Sequence, residues 1–173
     1  MKKKYILSLL NVMLIGWLEC RVLKTFSLLP RTNTSLSLIA YGCFSFCVAD
    51  LLAYFLHYFF HVNRHLYKTI HSIHHEEKNP ILCSTSYMHP LEIVSFFFIY
   101  RAPILIGIPF NRTTFVLYQT ILTLWTACDH SWNKHVFSDH FLHHRYVRGN
   151  YATCLQFWDD LFGTKIVINR SSD

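Results

Sequence analysis

Residues 50–75 read DLLAYFLHYFFHVNRHLYKTIHSIHH. An apolar helix runs into His57 and His61, four positions apart. A short basic link follows, then His71, His74 and His75. Positions i, i+3 and i+4 of a helix share a face, so His57 points with His61, and His71 with His74 and His75. The same H-x-x-H-H spacing returns as His140, His143 and His144. Three compact clusters in a chain with twelve histidines read as the walls of a metal site.

The chain has 173 residues, 52% hydrophobic and 17% aromatic. That length is one domain, and the composition excludes disordered and collagen-like classes. Apolar residues come in runs rather than in alternation, which points to a membrane. The formal charge is +6, but the basic residues flank apolar runs and form no nucleic-acid motif, so no nucleic-acid partner is expected. The six cysteines contain no C-x-x-C and read as small buried hydrophobes in a reducing setting.

A basic start precedes an apolar run over Tyr5–Leu18, and no small-x-small cleavage site follows. Residues 1–35 are therefore expected to form an uncleaved membrane anchor and a lumenal connection. Leu36–Phe60 is the longest apolar run, with Asp50 its only acid, and opens the domain expected over residues 36–173. Ile93–Phe110 and Thr113–Cys128 read as a tight helical hairpin dipping into or across the bilayer, in which Arg101 must snorkel or face protein. The expected fold is an all-α integral membrane protein, with about four membrane helices and a cytosolic histidine-rich helical cap. Four crossings from a cytosolic N-terminus leave only Arg21, Lys24, Arg31 and Arg112 on the lumenal side, as the positive-inside rule requires. Both termini and every cluster then face the cytosol. Asn33 and Asn111 head glycan-acceptor patterns on the lumenal side, and Asn169 heads one in the cytosol.

Neutral imidazole suits iron, copper or zinc. The clusters offer more ligands than the four of a structural zinc site, and H-x-x-H-H presents nitrogens in two directions, so two metal ions are expected. Asp50 and Tyr54 share the helix face of His57 and His61. A carboxylate one layer out would accept a ligand's free N–H and fix its tautomer. Asp129 beside His130 and Glu92 near His89 invite the same role. His65 and His135 read as ordinary hydrogen-bonding side chains, and Trp158 and Phe162 as packing anchors. A metal transporter would hold its ligands near the bilayer midplane, whereas these clusters flank the spans. A non-catalytic metal-binding membrane protein stays open on the residues alone.

The boxes His57–His61, His71–His75 and His140–His144 resemble those of the fatty acid hydroxylase/sterol desaturase superfamily of membrane di-iron oxygenases. So do the approach Asp50 to His57, the run Tyr87-Met88-His89-Pro90-Leu91-Glu92, and Gly149-Asn150-Tyr151 with Trp158-Asp159 and Phe162-Gly163-Thr164. The motifs are most similar to those of methylsterol monooxygenases, and sphingoid-base hydroxylases share an Asp-His pair like Asp129-His130. The resemblance covers about residues 45–165. It implies an oxygen-dependent oxidoreductase of the endoplasmic reticulum membrane that hydroxylates or desaturates a sterol, a sphingoid base or a fatty acyl chain. It implies two iron ions, with zinc able to replace them in a purified sample. The implied ligands are His57, His61, His71, His74, His75, His130, His140, His143 and His144, with His89 as a tenth. Electrons would come from NAD(P)H through a separate cytochrome b5 and its reductase, because the chain carries neither G-x-G-x-x-G nor H-P-G-G. Tyr58 stands where the family often has Arg, and the segment between His130 and His140 is short.

Overall fold

The computed structural model describes residues 2–26, 35–108, 110–130 and 139–167. The described residues are helical, with no strand among them. Two long helices come first, α1 over Lys2–Phe26 and α2 over Ser35–Val62. Both are long and apolar enough to cross a membrane. Many of their apolar side chains point outward, including Leu9, Leu10, Met13 and Trp17 on α1 and Leu36, Ile39, Phe44 and Phe59 on α2. Exposed apolar faces of this extent suit lipid rather than water.

A short α3 over Arg64–Thr69 follows, started by Asn63, whose Oδ1 accepts from the N–H groups of His65 and Leu66 at 3.1 Å. The second histidine box is a 3-10 turn over His71–Glu76 rather than an α-helix. Another 3-10 turn spans Leu82–Ser86. The two apolar segments read from the sequence as a hairpin are helical, forming α4 over Pro90–Ile99, the single turn α5 over Ala102–Leu105, and α6 over Arg112–Asp129. The chain reverses between α5 and α6 through Gly107 at φ +91°, and Asn111 starts α6 by accepting from Thr114 N at 2.8 Å. Arg101 faces protein, as one of the two sequence readings required. Its Nη1 donates to Phe97 O at 2.7 Å, its Nη2 pairs with Glu19, and its guanidinium lies over the Phe97 ring.

α1 is more than an anchor. Lys4 pairs with Glu77 at 3.3 Å, the buried Asn11 amide donates to Ser86 O and Met88 O, each at 2.9 Å, and Glu19 meets Arg101. Polar groups at three levels therefore fix α1 against the second box, the loop after it and the hairpin.

The chain ends in α7 over His140–Tyr146 and α8 over Phe157–Phe162. Between them Val147, Gly149 and Asn150 all have positive φ, which turns the backbone sharply back beneath α7. A Cβ on Gly149 would meet Thr164 O at 2.5 Å and Ile166 Cγ1 at 2.8 Å, so only glycine fits. The returning segment is held by two acids. Asp159 accepts from Tyr151 N, Ala152 N and Thr164 Oγ1. Asp50, fully buried on α2, accepts from Thr153 Oγ1, Cys154 N, Leu155 N and Trp158 Nε1 at 2.9–3.1 Å. The buried core of Ala49, Phe110, Phe115, Tyr118, Leu122 and Cys154 lies beside this clamp.

Candidate metal centre

The end of α2, the 3-10 turn at His71–Glu76, the C-terminus of α6 and all of α7 meet at one place, and nine imidazoles converge there. His57, His61, His71, His75 and His143 form one group. His74, His130, His140 and His144 form a second. Within each group the ligand atoms lie within 4.8 Å of one another. The two H-x-x-H-H boxes are shared in opposite ways. The outer histidines of the second box, His71 and His75, join the first group and His74 the second. In the third box His143 joins the first group, and His140 and His144 the second.

The tautomers follow from what the other ring nitrogens touch. The Nδ1 atoms of His57, His74, His130, His143 and His144 lie against the carbonyl oxygens of Tyr151, Tyr87, Thr126, Gly149 and Glu77, at 2.6–3.2 Å. A carbonyl oxygen only accepts, so each Nδ1 carries the proton. His71 Nδ1 meets the buried Glu92 carboxylate at 2.6 Å. The Nε2 atoms of these six rings are therefore bare lone pairs, and several point at one another or at the Nε2 atoms of His61 and His75. His71 Nε2 is 3.1 Å from His57 Nε2, 2.8 Å from His61 Nε2 and 3.0 Å from His75 Nε2. His143 Nε2 is 3.1 Å from His75 Nε2, and His130 Nε2 is 3.2 Å from His74 Nε2. In the His57–His71 and His74–His130 pairs both nitrogens are bare, and lone pairs held this close repel unless a cation lies between them. Ligands about 2.1 Å from a shared ion are themselves separated by about 3 Å. The donor set thus fits metal ions in both groups.

Burial holds these rings neutral. It pushes His71, His74, His75, His140, His143 and His144 far below the ordinary imidazole range, and their close neighbours push further the same way. Burial also brings His130 down to about 4. An unfolded imidazole takes a proton below about pH 6.5, whereas these folded ones do not. Stability is therefore fully present above pH 6.5 and falls as the pH drops below it, by about 1.4 kcal/mol per group per pH unit. Thermal unfolding of metal-free and metal-loaded protein between pH 7.5 and 5.5 is expected to show falling midpoints, with metal released alongside. Midpoints independent of pH would contradict neutral buried rings.

Glu92 fixes the orientation of His71, which like His75 has three Nε2 neighbours. Exchange of such a partner weakens metal binding by about 10–100-fold. Glu92→Gln is expected to do so in a chelator competition, with the fold intact; unchanged affinity would remove Glu92 from the metal centre.

The structure places several residues differently from the sequence reading. His89 does not join either group. Pro90 at the first helical position holds His89 in an extended conformation, where its Nδ1 caps α4 by accepting from Leu91 N at 3.1 Å. Asp50 clamps the C-terminal segment, and Tyr54 bonds Thr164 Oγ1 at 2.9 Å and stacks on Phe162. The His57 N–H they were expected to accept goes to Tyr151 O instead. Asp129 approaches His140 Nδ1 at 3.9 Å, beyond hydrogen-bond length. Glu92 serves His71 rather than His89. His65 is exposed and belongs to neither group, and His135 lies outside the described residues. The carbonyl anchors escaped sequence reading because a carbonyl has no residue identity to recognise.

Beside the centre lies a cavity of about 300 Å³, mostly apolar in its lining, which includes His57, His71, His74, His130 and His140. That volume is at the lower end of ligand sites.

The described residues thus combine two helices long and apolar enough to cross a membrane with two all-histidine groups that could hold metal ions beside an apolar cavity. The family model for fatty acid hydroxylases matches residues 42–164, and the chain belongs to that family. It is 32% identical over 143 residues to methylsterol monooxygenase 1 of Gallus gallus, which covers 72% of this chain and 45% of the relative. It is 31% identical over 171 residues to the very-long-chain aldehyde decarbonylase GL1-11 of Oryza sativa subsp. indica, covering 90% of this chain and 63% of the relative. It is 30% identical over 112 residues to a cholesterol 25-hydroxylase-like protein of Danio rerio, covering 57% of this chain and 45% of the relative. The chain thus spans less than two thirds of the length of these curated relatives. No solved structure matches it.

Proposed function

We propose that the chain is an oxygen-dependent lipid oxygenase with two iron ions, one held by His57, His61, His71, His75 and His143 and the other by His74, His130, His140 and His144. The convergence of bare Nε2 atoms beside an apolar cavity carries this reading. The family and the oxygenase relatives support it. Bound iron would supply the oxygen-activating redox chemistry. For hydroxylation, one C–H bond, one O2, two electrons and two protons give one C–OH and one water; desaturation balances with two waters.

The chain's own residues do the rest. The carbonyls of Tyr87, Thr126, Gly149, Tyr151 and Glu77, together with Glu92, lock the tautomers, so the ligands need no rearrangement during turnover. Leu122, Ile93 and Phe96 line the cavity and exclude water from the reacting carbon. Sterol is the substrate class put first, with sphingoid bases and fatty acyl chains as the alternative. Four membrane passages, a cytosolic histidine cap, residence in the endoplasmic reticulum and electron supply by separate cytochrome b5 and its reductase complete the proposal. The hairpin of α4 to α6 would supply the third and fourth passages beside α1 and α2.

The test is expression in yeast lacking its methylsterol oxidase, with sterols and sphingolipids profiled together. A new oxygenated or unsaturated lipid that depends on the cluster histidines is expected. No change in either lipid class would contradict both substrate readings.

A further inference from the structure

The cavity has two unlike ends. One is the histidine centre; the other is formed by Arg101 and Gln119, which both line the cavity. Tyr118 Oη donates to Tyr100 O at 3.0 Å, which ties together the two segments that Gln119 and Arg101 directly follow. From Gln119 up α6 to His130 is about 16 Å of helix rise, and from Arg101 back along the hairpin to Glu92, which touches His71, about 13 Å. The wall between is apolar and includes Val12 and Ile15 of α1.

The polar end has donors to spare. Arg101 is 5% exposed. Its Nη atoms are engaged by Phe97 O and Glu19, but its Nε has no hydrogen-bond partner among the described residues. Gln119 Nε2, also buried, has none either. Two buried N–H donors facing an apolar cavity are costly unless something accepts from them. Glu19 already neutralises the guanidinium, so no net positive charge is left for a carboxylate or phosphate. The remaining demand is for a neutral acceptor oxygen.

We infer that the cavity takes an elongated neutral lipid whose hydroxyl or carbonyl oxygen docks on Arg101 Nε–H and Gln119 Nε2–H, leaving the carbon to be oxidised at the opposite end beside the histidines. The position of oxidation rests on the oxygenase reading above; the docking of the oxygen does not. The consequence is oxidation remote from the existing oxygen rather than next to it.

The test is equilibrium binding of tritiated 1-hexadecanol and tritiated cholesterol to the full chain purified in detergent. Hexadecane, cholestane and palmitate serve as competitors. At least one alcohol is expected to bind, and the corresponding hydrocarbon and palmitate to compete about tenfold less well or worse. Which alcohol binds distinguishes a chain-shaped ligand from a sterol. Gln119→Leu is expected to lose about tenfold in affinity for the alcohol and nothing for the hydrocarbon, with its thermal unfolding midpoint held. Equal binding of alcohol and hydrocarbon, preference for palmitate, binding of neither alcohol, or a folded Gln119→Leu with unchanged affinity would each overturn the inference. Should Gln119→Leu not fold, the wild-type competition decides alone. Alcohol binding without oxidation of any lipid would sink the oxygenase reading and leave the docking site standing. Oxidation without alcohol preference would do the reverse.

Discussion

Replacing His71 with alanine is expected to abolish oxygen-dependent lipid turnover, by at least about 100-fold, and to release the metal from the five-histidine group. His71 is the best-connected ring of the centre. Its Nε2 lies at 2.8–3.1 Å from those of His57, His61 and His75, while its Nδ1 is held by Glu92. Alanine removes a ligand and leaves the Glu92 carboxylate buried without its partner. His65→Ala is the control, because that side chain is exposed on α3 and belongs to neither group. Metal analysis and turnover on both variants check this. Full turnover in His71→Ala, or equal loss in His65→Ala, would remove the assignment.

Asp50→Ala is expected to give the largest loss of stability, about 3–5 kcal/mol. Its carboxylate, on α2, is buried and accepts four hydrogen bonds from the segment Thr153 to Trp158. Alanine would strand four donors in a buried place. The damage would reach the metal centre indirectly, because that same C-terminal stretch carries Tyr151, whose carbonyl holds His57. Asp50→Asn keeps the shape and one acceptor oxygen, so its loss is expected to be smaller. Thermal unfolding in detergent checks the order wild type, Asp50→Asn, Asp50→Ala. An Asp50→Ala variant as stable as wild type would show that the clamp does not hold the C-terminal segment.

The histidine boxes were legible because ligand spacing is local. His57 with His61, and each H-x-x-H-H, need only short-range backbone geometry to be brought together. The division into groups of five and four was not legible. It depends on how a 3-10 turn at His71–Glu76 sits against α7, an arrangement made by residues far apart in the chain. The helix periodicity applied to the second box was the wrong one, since that box is not α-helical. His89 was misread for a local reason. Histidine before proline at a helix start has a capping role that competes with metal binding, and capping won. Asp50 was expected to accept a ligand's N–H, but its partners are Thr153 to Trp158, more than a hundred residues later, and no spacing announces them. The separation of residues 1–35 as an anchor missed that Asn11 and Glu19 tie α1 to the remainder of the chain, and that Val12 and Ile15 line the cavity.

The most direct measurement is the number of iron ions bound per chain, taken on the purified full chain after anaerobic reconstitution. Wild type is expected to hold two. A variant with both His130 and His140 changed to alanine is expected to hold one, because the five-histidine group remains. One ion or none in wild type, or two in the double variant, would contradict two separate all-imidazole sites.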